Sequence, residues 1–238
     1  MKESNSFKKG IIDGLPICFG YLSIAFAFGI FATGSGLNIM QALLISMTNV
    51  TSAGQLAAVP IMTGGGTLIE MAVSQLVINM RYALMSVSLS QKFGKSISLF
   101  DRFVIAFVNT DEVFAVASSK YGTVGKKYMY GLIVMPYLGW SVGTFLGATA
   151  GNVLPQSIIS ALGIAIYGMF AAIVIPEAKK DCSTALCAGF AIILSCIFEF
   201  VPMLKGIPGG FTIIICAAAA SALFALIAPI EVTEDENE

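Results

Sequence analysis

Gln75-Leu-Val-Ile-Asn79-Met-Arg81-Tyr82-Ala-Leu-Met-Ser86-Val-Ser-Leu89 carries a guanidinium near the middle of an otherwise apolar run. At about 100° per residue, Gln75, Asn79, Tyr82 and Ser86 fall within about 60° of one another on a helix, and Glu70, Ser74, Arg81 and Ser88 form a second strip about 40° wide. Two polar strips predict a helix buried inside a bundle. Downstream, a second apolar run is broken by Asn109-Thr110-Asp111-Glu112, and upstream a third is broken by Thr48-Asn-Val-Thr51-Ser52-Ala-Gly54-Gln55.

Composition sets the solvent these runs are built for. The 238 residues are 57% hydrophobic and 11% charged, with a mean hydropathy of +0.87, whereas a soluble domain carries about 25% charged residues. Crossing a hydrocarbon core of about 30 Å takes roughly 20 apolar residues. Apolar runs fall at about 11–33, 40–62, 67–91, 103–118, 128–150, 157–176, 182–201 and 208–229. They are continuous and do not alternate, which excludes a transmembrane barrel. The expected fold is all-α, a polytopic transmembrane helical bundle forming one integral-membrane domain over 1–230. Residues 231–238 read as an acidic, disordered tail. Lys8 and Lys9 before an apolar run suit a signal peptide, but the run continues to Ala32 and reads as a retained first helix.

Net charge is −1 and His is absent, so no basic patch points to nucleic acid and the usual proton carrier is missing. Cys18, Cys182, Cys187, Cys196 and Cys216 sit in or beside apolar runs without a C-x-x-C pair. They read as packing residues, not metal ligands or disulfides. There is no phosphate loop, no H-E-x-x-H and no G-x-S-x-G on a strand. The chain is expected to be no enzyme and to need neither metal nor cofactor. An intramembrane enzyme acting on lipid through Asp111 and Glu112 would lack a nucleophile–base pair.

Lys and Arg set the orientation. They cluster at Lys2/Lys8/Lys9, Lys92/Lys95/Arg102, Lys120/Lys126/Lys127 and Lys179/Lys180. If every run crossed, the Lys92–Arg102 loop would lie outside. All four clusters become cytoplasmic if 40–62 enters and returns without crossing and 103–118 does the same from the other face. The expectation is therefore re-entrant or discontinuous segments near 48–55 and 109–112, the paired interruptions that mark a secondary-transporter site.

An Arg at mid-membrane costs roughly 2.5–3.5 kcal/mol on insertion scales, and an Asp about the same. An ion pair of Arg81 with Asp111 or Glu112 lowers that cost and lines a path. Without His, proton coupling falls to a carboxylate, Asp111 or Glu112. Arg81, Asn79, Ser52, Gly54, Gln55 and Asn109 are the candidate substrate-binding residues. Arg81 and the acids would line the translocation path, unless they only lock each other. The stripe Gly139, Gly143, Gly147, Gly151 lets another helix approach closely, within the chain or across a subunit interface. Gly14 and Pro16 weaken the early first helix, and Trp140, Tyr128, Tyr130 and Tyr137 suit an interfacial belt.

Gly14-Leu-Pro-Ile-Cys-Phe-Gly-Tyr21, Ala25-Phe-Ala-Phe-Gly29, Ser52-Ala-Gly-Gln55, Asn79-Met-Arg-Tyr82, Ser86-Val-Ser-Leu89 and Thr110-Asp-Glu-Val-Phe-Ala115, in that order, resemble the AzlC family. That family supplies the large subunit of bacterial branched-chain amino acid exporters. The resemblance runs from about Phe7 to Ala228. It implies a multi-pass protein of the bacterial cytoplasmic membrane that exports amino acids such as Leu, Ile and Val. It also implies a separately encoded, small hydrophobic subunit of the AzlD type. The resulting expectation is a carrier driven by the proton motive force, in contact with membrane lipid. A passive channel for a small polar solute and a regulatory subunit without transport of its own are the alternatives.

Overall fold

The computed structural model describes residues 5–151, 154–155, 157, 168, 171, 174–176, 178–204 and 206–228. Among the described residues every named element is helical, and one isolated bridge joins Phe93 to Val124. The helices are α1 (Phe7–Gly34), α2 (Ile39–Thr48), α3 (Ser52–Thr63), α4 (Leu68–Gln91), α5 (Leu99–Phe107), α6 (Asp111–Ser118), α7 (Lys126–Ala150), α8 (Cys182–Phe200) and α9 (Gly209–Ile227). Local chemistry sets their starts. The Ser6 side chain accepts from the Lys9 N–H, and Asn38 with Gln41 and Ser98 with Asp101 form reciprocal capping boxes. Most of the 157–176 run and all of 231–238 lie outside the described residues.

The chain divides into two compact units, Met1–Gly65 with Gln75–Ile166, and Gly66–Ser74 with Tyr167–Glu238. The spine of the first unit is α1 against α7. Gly10 and Gly14 lie against Tyr128 to Pro136, and Gly139, Gly143 and Gly147 lie against Cys18, Leu22 and Phe26. The rising numbers on both sides show that the helices run parallel with their backbones in direct contact. The glycine stripe is therefore an internal contact. A Cβ on Gly143 would sit 2.5 Å from the Leu22 carbonyl oxygen and 2.9 Å from the Ala25 Cβ. Helix α1 runs unbroken through Pro16. Trp140 and Tyr128, assigned above to an interfacial belt, are instead buried in this core at 1% and 0% exposure.

Parallel helices put Lys8, Lys9, Lys126 and Lys127 at one end. The Lys92–Arg102 loop joins them there: the Lys92 ammonium bonds the Ser118 and Lys120 carbonyls, Val124 N–H donates to Lys92 O at 2.8 Å, and Asp101 pairs with Lys126 at 2.8 Å. Three of the four basic clusters thus share one end, and Lys179/Lys180 belong to the second unit.

Both interrupted runs are hairpins of half-helices. Ala42 of α2 and Val59 of α3 pack into one cluster with Ala32 and Ala148, near the far ends of α1 and α7. The last turn of α2, just before the break, accepts a 3.1 Å bond from Tyr137 OH at Met47 O, about 16 Å along α7 from Lys126 at 1.5 Å per residue. This hairpin enters and leaves at the far end. In the other, Asp101 in the first turn of α5 and the Ser118 carbonyl of α6 are both held at the basic end. Its break abuts Tyr21, about 21 Å up α1. The two hairpins enter from opposite ends and meet at mid-depth, where Val50 and Val108 share a core cluster.

Helix α4 is not enclosed on all sides as its two polar strips suggested: Leu76, Met80, Leu84 and Val87 are exposed. The side of α4 that carries Gln75, Asn79 and Ser86 bonds the two hairpins, and Leu89 near its end is buried in the core of the first unit. In the second unit, α8 and α9 pack on each other, with Phe190 and Phe224 ring centroids 6.4 Å apart. They leave Leu186, Ile192, Ile193 and Leu226 exposed. Glu70 is buried there, accepting the Gly210 N–H at 2.8 Å at the start of α9.

Candidate substrate site at the meeting of two broken helices

The strip Gln75, Asn79, Tyr82, Ser86 faces the two breaks. Gln75 Nε2 donates to the Gly54 carbonyl at 2.8 Å, while its Oε1 accepts from Asn49 Nδ2 at 3.0 Å and Asn79 Nδ2 at 3.1 Å. About two turns beyond Asn79, Asn109 Nδ2 donates to Ser86 Oγ at 3.0 Å. One helix therefore bonds both hairpins, at the Gly54 carbonyl and the Asn49 side chain of the first and at the Asn109 side chain of the second. Gly54 has to be glycine for this: a Cβ there would lie 2.7 Å from Gln75 Oε1 and 2.8 Å from Thr51 Oγ1.

Between the tips lies a cavity of about 170 Å³, lined among others by Asn49, Thr51, Asn79, Tyr82, Phe107 and Asn109. The C-termini of α2 and α5 and the N-termini of α3 and α6 converge on it. Half-helix ends carry partial charge, negative at C-termini and positive at N-termini, so each break offers both poles a few residues apart. Thr51 caps α3, its hydroxyl accepting from Gly54 N–H at 3.0 Å, whereas Thr110 makes no side-chain cap bond to α6. A second, mostly apolar cavity of about 230 Å³ shares Ala106 and Asn109 with the first and extends to Arg102 near the basic end.

The charged residues form a separate layer. Arg81 grips Asp111 with two contacts of 2.9 and 2.8 Å, donates to Tyr82 OH at 2.9 Å and lies 4.7 Å over its ring. The pair is about half exposed, at 54% and 44% of side-chain area. Glu112 accepts a hydrogen bond from Tyr21 OH, and Tyr21 stands edge-on to Trp140 at 5.0 Å. The first turn of α6 places both carboxylates at its N-terminal pole, which favours negative charge. Of the acids, Asp111 is bound to the guanidinium and Glu112 to a phenol.

Asn79 and Asn109 thus line the junction. Arg81 stands one layer away, joined to it through Tyr82. Ser52 and Gln55 sit in the first turn of α3 outside the cavity's lining, and Gly54 contributes its carbonyl. Asn49, Gln75, Tyr82 and Tyr21 are the additions the structure makes. Gln75 and Tyr82 were visible on the polar strip, and Asn49 within the polar break. Tyr21 gave no signal, since its partner is distant in sequence. Among the described residues no three His, Cys, Asp or Glu side chains cluster as metal ligands, and the cysteines are free.

Helices α1, α7, α8 and α9 are each long and apolar enough to cross a membrane. Together with the paired hairpins they define a multi-pass helical membrane protein. A family model described as AzlC protein matches residues 16–154, more than half the chain, and the chain belongs to the AzlC family. Among its relatives, an uncharacterized membrane protein of Archaeoglobus fulgidus is 29% identical over 82% of this chain and 86% of its own. The inner membrane protein YgaZ of Escherichia coli is 27% identical over 87% and 89%. An uncharacterized membrane protein of Helicobacter pylori is 23% identical over 62% and 65%. No solved structure matches.

Proposed function

We propose that this chain is a secondary carrier exporting amino acids across the bacterial cytoplasmic membrane, branched-chain ones foremost. The observation that carries the reading is the meeting of two broken hairpins, entered from opposite ends, at one polar cavity. A zwitterion fits such a junction: its ammonium suits the C-terminal end of a half-helix and its carboxylate the N-terminal end of the next. The adjoining apolar cavity suits an aliphatic side chain. The inner-membrane name of the Escherichia coli relative and the family's transport association support the same direction.

Arg81 and Asp111 lock the tip of the second hairpin to α4. Glu112, bonded to Tyr21 and free of a guanidinium, is the proton carrier, so protonation removes the charge assistance from the bond that holds α6 to α1 and eases movement of the hairpin. A small hydrophobic AzlD-type subunit covers part of the exposed apolar surface. Efflux of labelled leucine from loaded cells, with and without that subunit, tests the reading. Uphill efflux that collapses with a protonophore supports it. Flux that only equalises concentrations, or no leucine flux in either case, overturns it in favour of a channel or a subunit without transport.

A further inference from the structure

We infer that the junction cavity selects its cargo by a primary ammonium held on neutral amide oxygens, those of Asn49 and Asn79, oriented by Gln75; this rests on the transport reading above. One group beside the cavity has a polarity that cannot change. The Gly54 carbonyl can only accept, so Gln75 turns its NH₂ toward it at 2.8 Å. Its Oε1 must then face Asn49 and Asn79, and each of these must present its own NH₂ in return, at 3.0 and 3.1 Å.

Both asparagines are thereby fixed with their oxygens turned from Gln75, and both line the cavity. Asn79 Oδ1 is buried and has no hydrogen-bond partner among the described residues. The same holds for Asn109 Oδ1 on the cavity's other side, in a residue only 3% exposed. Two unpaired acceptors and an oriented third, beside the negative C-terminal ends of α2 and α5, make a wall that wants donors and positive charge. An alkylammonium has three N–H donors and no acceptor.

The carboxylates are absent from that wall: Asp111 is engaged by Arg81 and Glu112 by Tyr21. Ammonium recognition is therefore separate from both carboxylates, so substrate and proton would occupy different sites. Gln75 is a positioning residue, and Asn49 and Asn79 are the specificity determinants.

The test compares L-leucine with 2-hydroxy-4-methylpentanoate, which keeps the carboxylate and side chain but replaces the ammonium by a hydroxyl. Binding to the full-length purified protein is read by ligand-induced thermal stabilisation, in sodium chloride and in choline chloride. The wild-type protein is expected to prefer leucine by at least about tenfold, as a site built for a hydrogen-bonding group rejects the analogue lacking it. Asn79→Leu is expected to bring the two ligands to near-equal affinity, with monodispersity confirming the fold. Asn49→Leu is read in its place if Asn79→Leu does not fold.

An unchanged preference in these variants overturns the inference and leaves the transport reading intact. Stabilisation by sodium alone, with the hydroxy acid binding as well as leucine, also overturns it and makes the pocket a metal-ion site. Wild-type protein that binds neither organic ligand defeats both readings.

Discussion

Arg81 and Asp111 give the sharpest energetic expectation. Two nitrogen–oxygen contacts of 2.8 and 2.9 Å form a fork, a geometry that makes such pairs strong, yet each side chain is about half exposed. An exposed ion pair contributes about 0–1 kcal/mol, and removing one partner of a buried pair costs about 3–5 kcal/mol. Half-exposure places the coupling near 2 kcal/mol, roughly a 30-fold change in an equilibrium constant. Arg81→Gln and Asp111→Asn are each expected to destabilise the protein by about that much. The double variant is expected to be no worse than either single, since it leaves no unpaired charge at membrane depth. Reversible unfolding in mixed micelles gives the three values. Additivity within about 0.5 kcal/mol would refute the pair as a lock. Leucine efflux then separates roles: a lock predicts partial recovery in the double variant, and substrate contact through Arg81 predicts none.

Glu112→Gln is expected to abolish the pH dependence of efflux while Tyr21→Phe shifts its midpoint, both read in vesicles with an imposed proton gradient; unchanged coupling in Glu112→Gln removes it as the proton carrier. Gly143→Leu is expected to abolish folding and Gly143→Ala to cost about 1–3 kcal/mol as overpacking, because the Leu22 carbonyl occupies the space. In a background lacking the five cysteines, single cysteines at Asn38 and Gly64 are expected to be labelled from one side of the membrane and those at Ser98 and Ser119 from the other; labelling of a hairpin's two ends from opposite sides would show that it crosses. The Lys126 ammonium beside Asp101 holds that carboxyl below the usual carboxylate range. A depressed folded-state pKa gives stability present above the unfolded value near about 3.9 and lost only as pH falls below the usual range. Asp101→Asn should therefore lower the unfolding temperature by the same amount throughout pH 5–8, and Ser98→Ala should cost about 1 kcal/mol as a lost cap.

Much of this was legible in the chain because membrane burial imposes local rules. Runs such as Phe7–Gly34 identify themselves by length and hydropathy. The charge bias around Lys92–Arg102 already pointed to one hairpin on each side, since loop charge is read during insertion regardless of tertiary contacts. The four-residue rhythm of Gly139 to Gly151 announced a close helix contact. The strip from Gln75 to Ser86 could be drawn from helix periodicity alone.

What tertiary structure alone decided is the pairing. Periodicity says that residues share a face but not what the face meets, so the stripe's partner α1, the burial of Trp140 behind Tyr21 and the Tyr21–Glu112 bond came only from contacts distant in sequence. Arg81 is the instructive case. The sequence placed a costly charge at mid-helix and called for a partner, as hydration lost in the membrane must be replaced. Which of two adjacent acids it takes depends on how α6 is rotated about its axis, because consecutive residues point about 100° apart. The structure turns Asp111 to the guanidinium and Glu112 to the phenol, leaving the amides of Asn49, Asn79 and Asn109 to line the space between the two tips.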